Sequence, residues 1–600
     1  MTEPIHLAFL WHQHQPFYKD TLSDRIEMPW VRLHAIKDYY GMAAMIERHP
    51  GIKATVNFVP SLLVQLQDQI DGKQDIWQSL SRIAPSDMNY DQRRFLLQNF
   101  FMTNPNTMIR PLPRYFELYG RRSGVDIDEK VVARFSDEEI RDIQALSNLA
   151  WFHPITLEDD VFLGETYKCQ HFSEEEKQQI LDKQIEVMKQ VIPLHRKLQD
   201  EGRLELSTTP FYHPIIPLLL DEHSVHEAMP DARLPRRTLP LAGDAYEQVR
   251  RAYQYHTEVF GKAPAGMWPS EGSVSQEAAE LFASAGAKWI ATDEEILARS
   301  TGVQKSAQRH PYRPYRVNGV PGSLSIVFRD HVVSDLMSFQ YQYFNEDDAV
   351  SDFLEKIRDI GKRHSERPLC VFVILDGENA WEHYRRTAYP FFVKLYEKLE
   401  EADDIVLTRI SEYIENHEPT HSIDRVAAGS WINGDFAIWA GHDEDIEAWE
   451  YIDRVREDLR IMTQSSHGKY NSADVKNAWE EIYIAEGSDY FWWYGEDHSS
   501  VQDMEFDALF RMHLKNVYRH LGEGYPEFLD EPIKKRGQRK LYSEPTAPLQ
   551  RAHARVSSYS TAFRRSLRFQ CRLRLDGTRV EHAASGRLLR FRRQQPSFAC

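Results

Sequence analysis

Of the 91 aspartate and glutamate side chains in the sequence, two stand where a carboxyl group is suited to chemistry. Asp376 is delivered by the apolar run 369–375 to the end of a predicted strand. A carboxyl there is partly desolvated, which raises its pKa toward that of a general acid. Glu271 lies in Gly266-Met267-Trp268-Pro269-Ser270-Glu271-Gly272-Ser273, where Trp268 offers a flat apolar wall and Gly272 permits close approach of a ligand. The plainer reading of Glu271 is an acid that opens the following helix, a position where negative charge is favoured. Two carboxyls on opposite sides of an acetal carbon are the minimum apparatus for cleaving a glycosidic bond. Glu378, two residues beyond Asp376, is suited to orienting a neighbour instead.

The remaining clusters fit a hydroxyl-rich ligand. His12, His14, Gln15, His213, Arg329, Asp330 and His331 supply donors and acceptors. Trp431, Trp439 and the run Tyr490-Phe491-Trp492-Trp493-Tyr494 supply faces against which sugar rings can pack. The run is continuous rather than periodic and leads into Gly495-Glu496-Asp497-His498, which favours a loop at a binding surface over a core stripe. Structural roles compete with these readings, because histidines and aromatics are commonly satisfied interior residues. His12-x-His14 with Asp330 and His331 also allows a zinc reading, of the deacetylase or α-mannosidase type. That reading leaves Glu271 unexplained, so no metal and no cofactor are assigned. A cleft that binds sugar without turnover is a further alternative, opposed by the presence of both carboxylates.

Short apolar runs deliver these clusters: 5–11 to His12, 54–59 to Pro60, 204–208 to Pro210 and His213, 289–292 to Asp293, 324–328 to Arg329, and 369–375 to Asp376. Runs apolar throughout predict strands buried on both faces, hence a parallel sheet covered by helices. Helical patterns at 273–285 and 352–363 lie between them. Repeated strand–cluster–helix units describe an α/β fold, a β/α barrel whose site gathers at the C-terminal strand ends. Residues 65–200 read mostly as helix, with a capping-box pair Ser173–Glu176, and look like an insertion. After Pro390 the strand signal fades. Ile446, Trp449, Ile452, Val455 and Leu459 recur at helical spacing, as do Phe506, Leu509, Phe510, Leu514, Val517 and Leu521. The predicted organisation is a barrel over 1–390 and a helical domain over 391–541.

At these residues the chain resembles family 57 of the glycoside hydrolases, the group of amylases, amylopullulanases and 4-α-glucanotransferases. Five short motifs carry the resemblance, in the family's order: His12-Gln13-His14-Gln15-Pro16; Gly202 to Glu205 through Pro210 to Pro214; Met267-Trp268-Pro269-Ser270-Glu271; Leu375-Asp376-Gly377-Glu378-Asn379-Ala380-Trp381; and Gly429-Ser430-Trp431-Ile432-Asn433-Gly434 through Trp439. It implies an incomplete seven-stranded β/α barrel, with helical insertions and a mainly helical domain that completes the cleft. It also implies a retaining mechanism on α-glucans or malto-oligosaccharides, with Glu271 as nucleophile and Asp376 as general acid/base. His14 and His213 would then touch the sugar next to the scissile bond, above a floor formed by Trp268. Glu378, Trp381, Trp492 and Trp493 would join the binding residues. The "WPSEG" and "GSWI" segments resemble amylase-like members most, so hydrolysis of α-1,4 bonds is the leading expectation, and glucanotransfer or amylopullulanase activity the alternative.

The formal net charge of −18 disfavours nucleic acid and anionic membrane as partners. Four scattered cysteines without a CxxC pair exclude a disulfide framework. The residues after Met1 lack a basic leader region, and no apolar run approaches a membrane span, so a cytoplasmic protein is expected. Charge is uneven along the chain. Residues 551–600 hold 12 Arg, no Lys and 2 acids, or +10, which leaves −28 for residues 1–550. A basic arm for polyanions is one reading of this tail. Exclusive use of Arg favours the other, a reading-frame shift, and poor order is expected over 542–600.

Overall fold

Each of the six apolar runs forms a strand in the computed structural model, which describes residues 3–535 apart from 123, 168, 222, 237–240, 303–309, 365, 466–467, 499 and 501. The strands are β1 (Ile5–Gln13), β2 (Ala54–Phe58), β3 (Leu204–Thr208), β5 (Trp289–Asp293), β6 (Ser325–Arg329) and β7 (Cys370–Asp376). Between β3 and β5 lies β4 (Gly266–Met267), whose two residues are too few to stand out in a sequence pattern. The order β7–β1–β2–β3–β4–β5–β6 is parallel throughout. Among the described residues no ladder joins β6 to β7. Only local bonds cross there, such as Asp330 N–H to Phe372 O at 2.9 Å. The fold is thus an incomplete seven-stranded β/α barrel.

Register and pleat together aim the chemistry. His12 lies opposite Asp376 on one side and Asn57 on the other, and Asn57 opposite Ser207. One row of polar residues therefore crosses the C-terminal ends of four strands. Alternation along a strand then decides which side chains face inward. Leu7, Phe9 and Trp11 pack into the large core under the helices, whereas Ala8 and Leu10 join a smaller cluster with Phe372 and Ile374 inside the barrel. His12 and Asp376 continue that inner set. Gly266 serves the same interior: a Cβ there would lie 1.8 Å from the Trp289 ring.

Helices follow their sequence signals. The segment from Pro60 to Asp200 is almost entirely helical and ends in α1 (Glu174–Asp200), opened by the Ser173–Glu176 capping box. Helix α2 (Gln276–Ala285) is capped by the Ser275 hydroxyl and stopped by Gly286 at φ 110°, a conformation glycine adopts without strain. Helix α3 is Glu346–Arg363.

The sheet continues beyond residue 390. Ile405–Leu407 pairs with the start of β1, and His421–Ile423 pairs with the short strand Tyr315–Val317, itself antiparallel to β6. These three-residue strands are too brief for an apolar run to reveal them. Then come α4 (Asp443–Ser465), α5 (Ser472–Ala485) and α6 (Asp503–His520), with Trp449 stacked on Phe491 at 4.5 Å. Barrel and helices belong to one compact unit ending at Lys534. Among the described residues, no helix is long and apolar enough to cross a membrane. The Arg-rich segment 542–600 lies outside the described residues.

Candidate active site

Asp376 ends β7 and Glu271 lies in the turn after β4, both partly open to solvent at the same end of the barrel. Glu271 adopts φ 55°, a left-handed conformation that costs a non-glycine residue free energy. Its neighbours hold it there. The Trp431 backbone N–H donates to Glu271 O at 3.0 Å, and the Trp431 indole N–H donates to Glu271 Oε2 at 2.7 Å. Trp268 meets the Trp431 ring edge-on at 5.1 Å. A Cβ at Gly272, φ 57°, would come within 3.0 Å of Trp268 and 3.3 Å of Trp431. Glycine is thus required for the turn to close against both indoles.

Burial, and then the charge of Asp376, push Glu271 up to about 8, against the Trp431 hydrogen bond that favours its ionised form. Burial raises Asp376 as well, opposed by Asn379, whose amide donates to Oδ2 at 3.1 Å. Desolvation thus holds both carboxyls above their ordinary range, and the charge of Asp376 adds to the shift of Glu271. Glu378 is buried, and its pKa is raised by burial and by Asp376. Its Oε1 accepts the His14 backbone N–H at 3.2 Å, while its buried Oε2 has no protein partner.

Three imidazoles face this pair. Asn57 donates its amide to Ser207 Oγ and presents Oδ1 to His12 Nδ1 at 2.7 Å. His12 therefore carries its hydrogen on Nδ1 and keeps Nε2 as an acceptor. Burial and the adjacent His14 hold it down to about 3, a neutral ring at physiological pH. His14 stacks on His213 at 4.0 Å, and its Nε2 lies 2.7 Å from Asp489 Oδ1. His213, at φ 61°, meets Ser488 Oγ through Nδ1 at 2.8 Å, and its buried Nε2 has no protein partner. Burial and the two neighbouring histidines keep it well below its ordinary pKa.

His14, His213 and Asp489 place ligand atoms within 4.8 Å of one another, so a metal ion must be considered. The two rings are inclined by only 21°. Imidazole lone pairs lie in the ring plane, so from stacked rings they run side by side instead of converging on one ion. The zinc set suggested by His12, His14, Asp330 and His331 is not brought together. Asp330 instead caps the helix His331–Asp335 through the Val333 N–H and accepts the Tyr312 hydroxyl.

The family model of glycosyl hydrolase family 57 matches residues 8–425, well over half of the 600-residue chain. The chain belongs to glycosyl hydrolase family 57. Solved structures with the same fold include a family 57 branching enzyme from Thermococcus kodakaraensis, with 14% identity, 86% of this chain and 90% of that one covered, and a TM-score of 0.56. The α-amylase AmyC of Thermotoga maritima gives 13% identity, 88% and 96% coverage and a TM-score of 0.54. A family 57 branching enzyme from Pyrococcus horikoshii gives 14%, 91% and 99%, and 0.52. A comparison with curated proteins found no match.

Within this family 57 chain, the other candidate residues separate into two groups. Arg329 and His331 border the site. Arg329 lies over the Trp431 ring at 5.3 Å and donates to Ile374 O and Asp293. His331 bridges Asp293 and Asp335, whose hydrogen bonds push it up to about 10. Trp492 is half-buried and stacks on His498 at 4.3 Å.

Gln15, Trp381, Trp439 and Trp493 are enclosed. Gln15 accepts the Tyr18 hydroxyl. Trp381 packs edge-on against Trp11 and Phe392 and donates to Gly377 O. Trp439 O accepts the Trp449 indole, and Trp493 packs on Phe506. The aromatic run is therefore mostly core of the helical region, with Trp492 its half-buried member.

Asn57, Ser488 and Asp489 line the candidate site without having been singled out in the sequence, and Asp293 was noted there only as the end of an apolar run. Asn57 carried a signal, a polar residue inside an apolar strand. Asp293 ended a strand but has no neighbour in sequence that reveals Arg329 and His331. Asp489 and Ser488 had none beyond preceding the aromatic run. They reach the site because the helical region docks there, with Ser488 N–H donating to His213 O at 3.1 Å.

Proposed function

We propose that this chain is a retaining, α-amylase-like glycoside hydrolase cleaving α-1,4 bonds of α-glucans. The observation that carries the reading is the pairing of Glu271 and Asp376 at one barrel mouth, where the charge of one raises the pKa of the other. In the reactive form Asp376 is protonated and Glu271 is charged, its Oε2 accepting the Trp431 indole N–H. The Glu271 carboxylate attacks the anomeric carbon. As the glycosidic C–O bond breaks, Asp376 protonates the departing oxygen. Asp376, now ionised, takes a proton from water, whose oxygen attacks the same carbon and expels Glu271. The neutral imidazoles of His12 and His213 bind sugar hydroxyls, His213 through its unpartnered Nε2. The names of the structural neighbours, branching enzymes and an α-amylase, support an α-glucan substrate.

Incubation with maltoheptaose tests the reading. Only shorter products are expected, whereas longer ones would make a second sugar the acceptor and the enzyme a glucanotransferase. Glu271→Gln should lower turnover by at least about 10³-fold while glucan binding persists. Turnover of α-glucan by that variant at the wild-type rate would refute the assignment.

A further inference from the structure

We propose a second glucan-binding surface on the segment that follows β6, formed by Phe339, Tyr343 and Phe344 beside Val332. The proposal rests on the α-glucan reading above. The segment comprises the helix His331–Asp335 and the turns Leu336–Gln340 and Tyr341–Tyr343. Its inner face buries Val333, Met337 and Tyr341, spaced four residues apart. The outer face should then be polar, as on an ordinary surface helix. Instead Val332, Phe339, Tyr343 and Phe344 are exposed, Tyr343 to 72%. Phe339 and Tyr343 are also four apart, which places two rings on one side of the turn. Large exposed apolar side chains gathered on one segment mark an interaction site on a soluble protein.

The rings stand on a firm base. Met337 O accepts the Tyr384 hydroxyl, the Tyr341 hydroxyl donates to Asp352 Oδ2 at 2.9 Å, and Ser334 Oγ accepts the Ile374 N–H at 3.2 Å. Little conformational entropy is therefore lost when a ligand lies on them.

The occupant is indicated by position and by composition. The segment leaves the C-terminal end of β6, the same end of the barrel as Glu271 and Asp376. It packs on the loop that follows Asp376 through the Tyr384 hydroxyl, and helix α3 just beyond it pairs Glu346 with Arg385 of the same loop at 2.7 Å. The exposed rings of Phe339, Tyr343 and Phe344 are interspersed with the amides of Gln340, exposed, and Gln342, half-buried, while Tyr341 faces the core. Rings match the apolar faces of pyranoses, and amides match their hydroxyls. A polymer held in the cleft and on the surface at once gains by effective concentration, which a short oligosaccharide cannot.

Native electrophoresis through gels containing soluble amylopectin tests this in the Glu271→Gln full-length protein. Adding Phe339→Ala and Tyr343→Ala should weaken retardation by at least about tenfold, and Tyr343→Phe alone should preserve it. In the otherwise wild-type enzyme, the ratio of activity on amylopectin to activity on maltoheptaose should fall with the double substitution. Unchanged retardation overturns the proposal. So does a wild-type dimer in sedimentation that the double variant converts to monomer without loss of retardation, because the face is then a subunit interface. Wild type that neither cleaves maltoheptaose nor is retarded refutes the α-glucan reading itself, a result distinct from the failure of the surface alone.

Discussion

Replacing Trp431 with Phe isolates one hydrogen bond at the centre of the proposed chemistry. Phenylalanine keeps an aromatic face for Arg329 and an edge for Trp268, and the backbone bond from residue 431 to Glu271 O remains. What is lost is the indole N–H to Glu271 Oε2, 2.7 Å long. A hydrogen bond to a charged acceptor contributes about 1.5–3 kcal/mol net, and the lower end applies because solvent reaches Glu271 and water replaces part of it. At 1.36 kcal/mol per pH unit, the loss raises the Glu271 pKa by about one unit. The sign follows from the bond favouring the ionised form. Activity requires Glu271 charged and Asp376 protonated, so it falls at low pH when both are protonated and at high pH when both are ionised. Because the charge of Asp376 raises Glu271, Glu271 is the last of the pair to ionise, so Trp431→Phe moves the basic limb of kcat/KM upward by about one unit and lowers the plateau about tenfold as the reactive tautomer becomes rarer. The assay is a pH–rate profile on maltoheptaose for both proteins. A plateau loss with both limbs unmoved would refute the electrostatic role and leave Trp431 as a wall.

Three further outcomes are expected. Asp489→Asn removes the carboxylate that orients His14, and should lower kcat/KM by about 10- to 100-fold with little change in melting temperature. An unchanged kcat/KM would show that His14 holds its position without Asp489. Gly272→Ala forces a side chain into a left-handed turn already in contact with two indoles, and should cost about 1–3 kcal/mol in denaturant unfolding along with most of the activity. Wild-type stability in that variant would mean that the turn relaxes. Gly266→Ala would drive a methyl group into the Trp289 ring; loss of soluble folded protein is expected, and a native circular dichroism spectrum would contradict the packing described for the barrel interior.

How much was legible in the sequence depended on length scale. Six strands were visible because a strand buried on both faces is predominantly apolar, as over 370–375, and because four or more such residues make a pattern. Gly266–Met267, Ile405–Leu407 and His421–Ile423 were not visible, since two or three residues cannot display a period. The sheet consequently runs past residue 390, where the apolar signal had faded. Glu271 and Asp376 were singled out by their local setting, a tryptophan–glycine frame and a strand end.

Aromatic residues were the least legible. Trp381, Trp439 and Trp493 have the composition of a sugar platform, yet they pack inside, while Phe339 and Tyr343 stand outside. An indole or phenyl ring stabilises either setting by the same loss of water contact, so residue type cannot tell them apart.

The sequence by itself determined the strands, the helical periods and the two carboxyls, because each follows from local pattern and residue chemistry. Tertiary structure alone decided what those carboxyls are worth chemically. The register that sets His12 between Asp376 and Asn57, the docking that brings Asp489 to His14, and the indole that bonds Glu271 all join residues far apart in the chain. A pKa and a tautomer are set by whatever lies within a few ångströms, and only the folded chain establishes those neighbours.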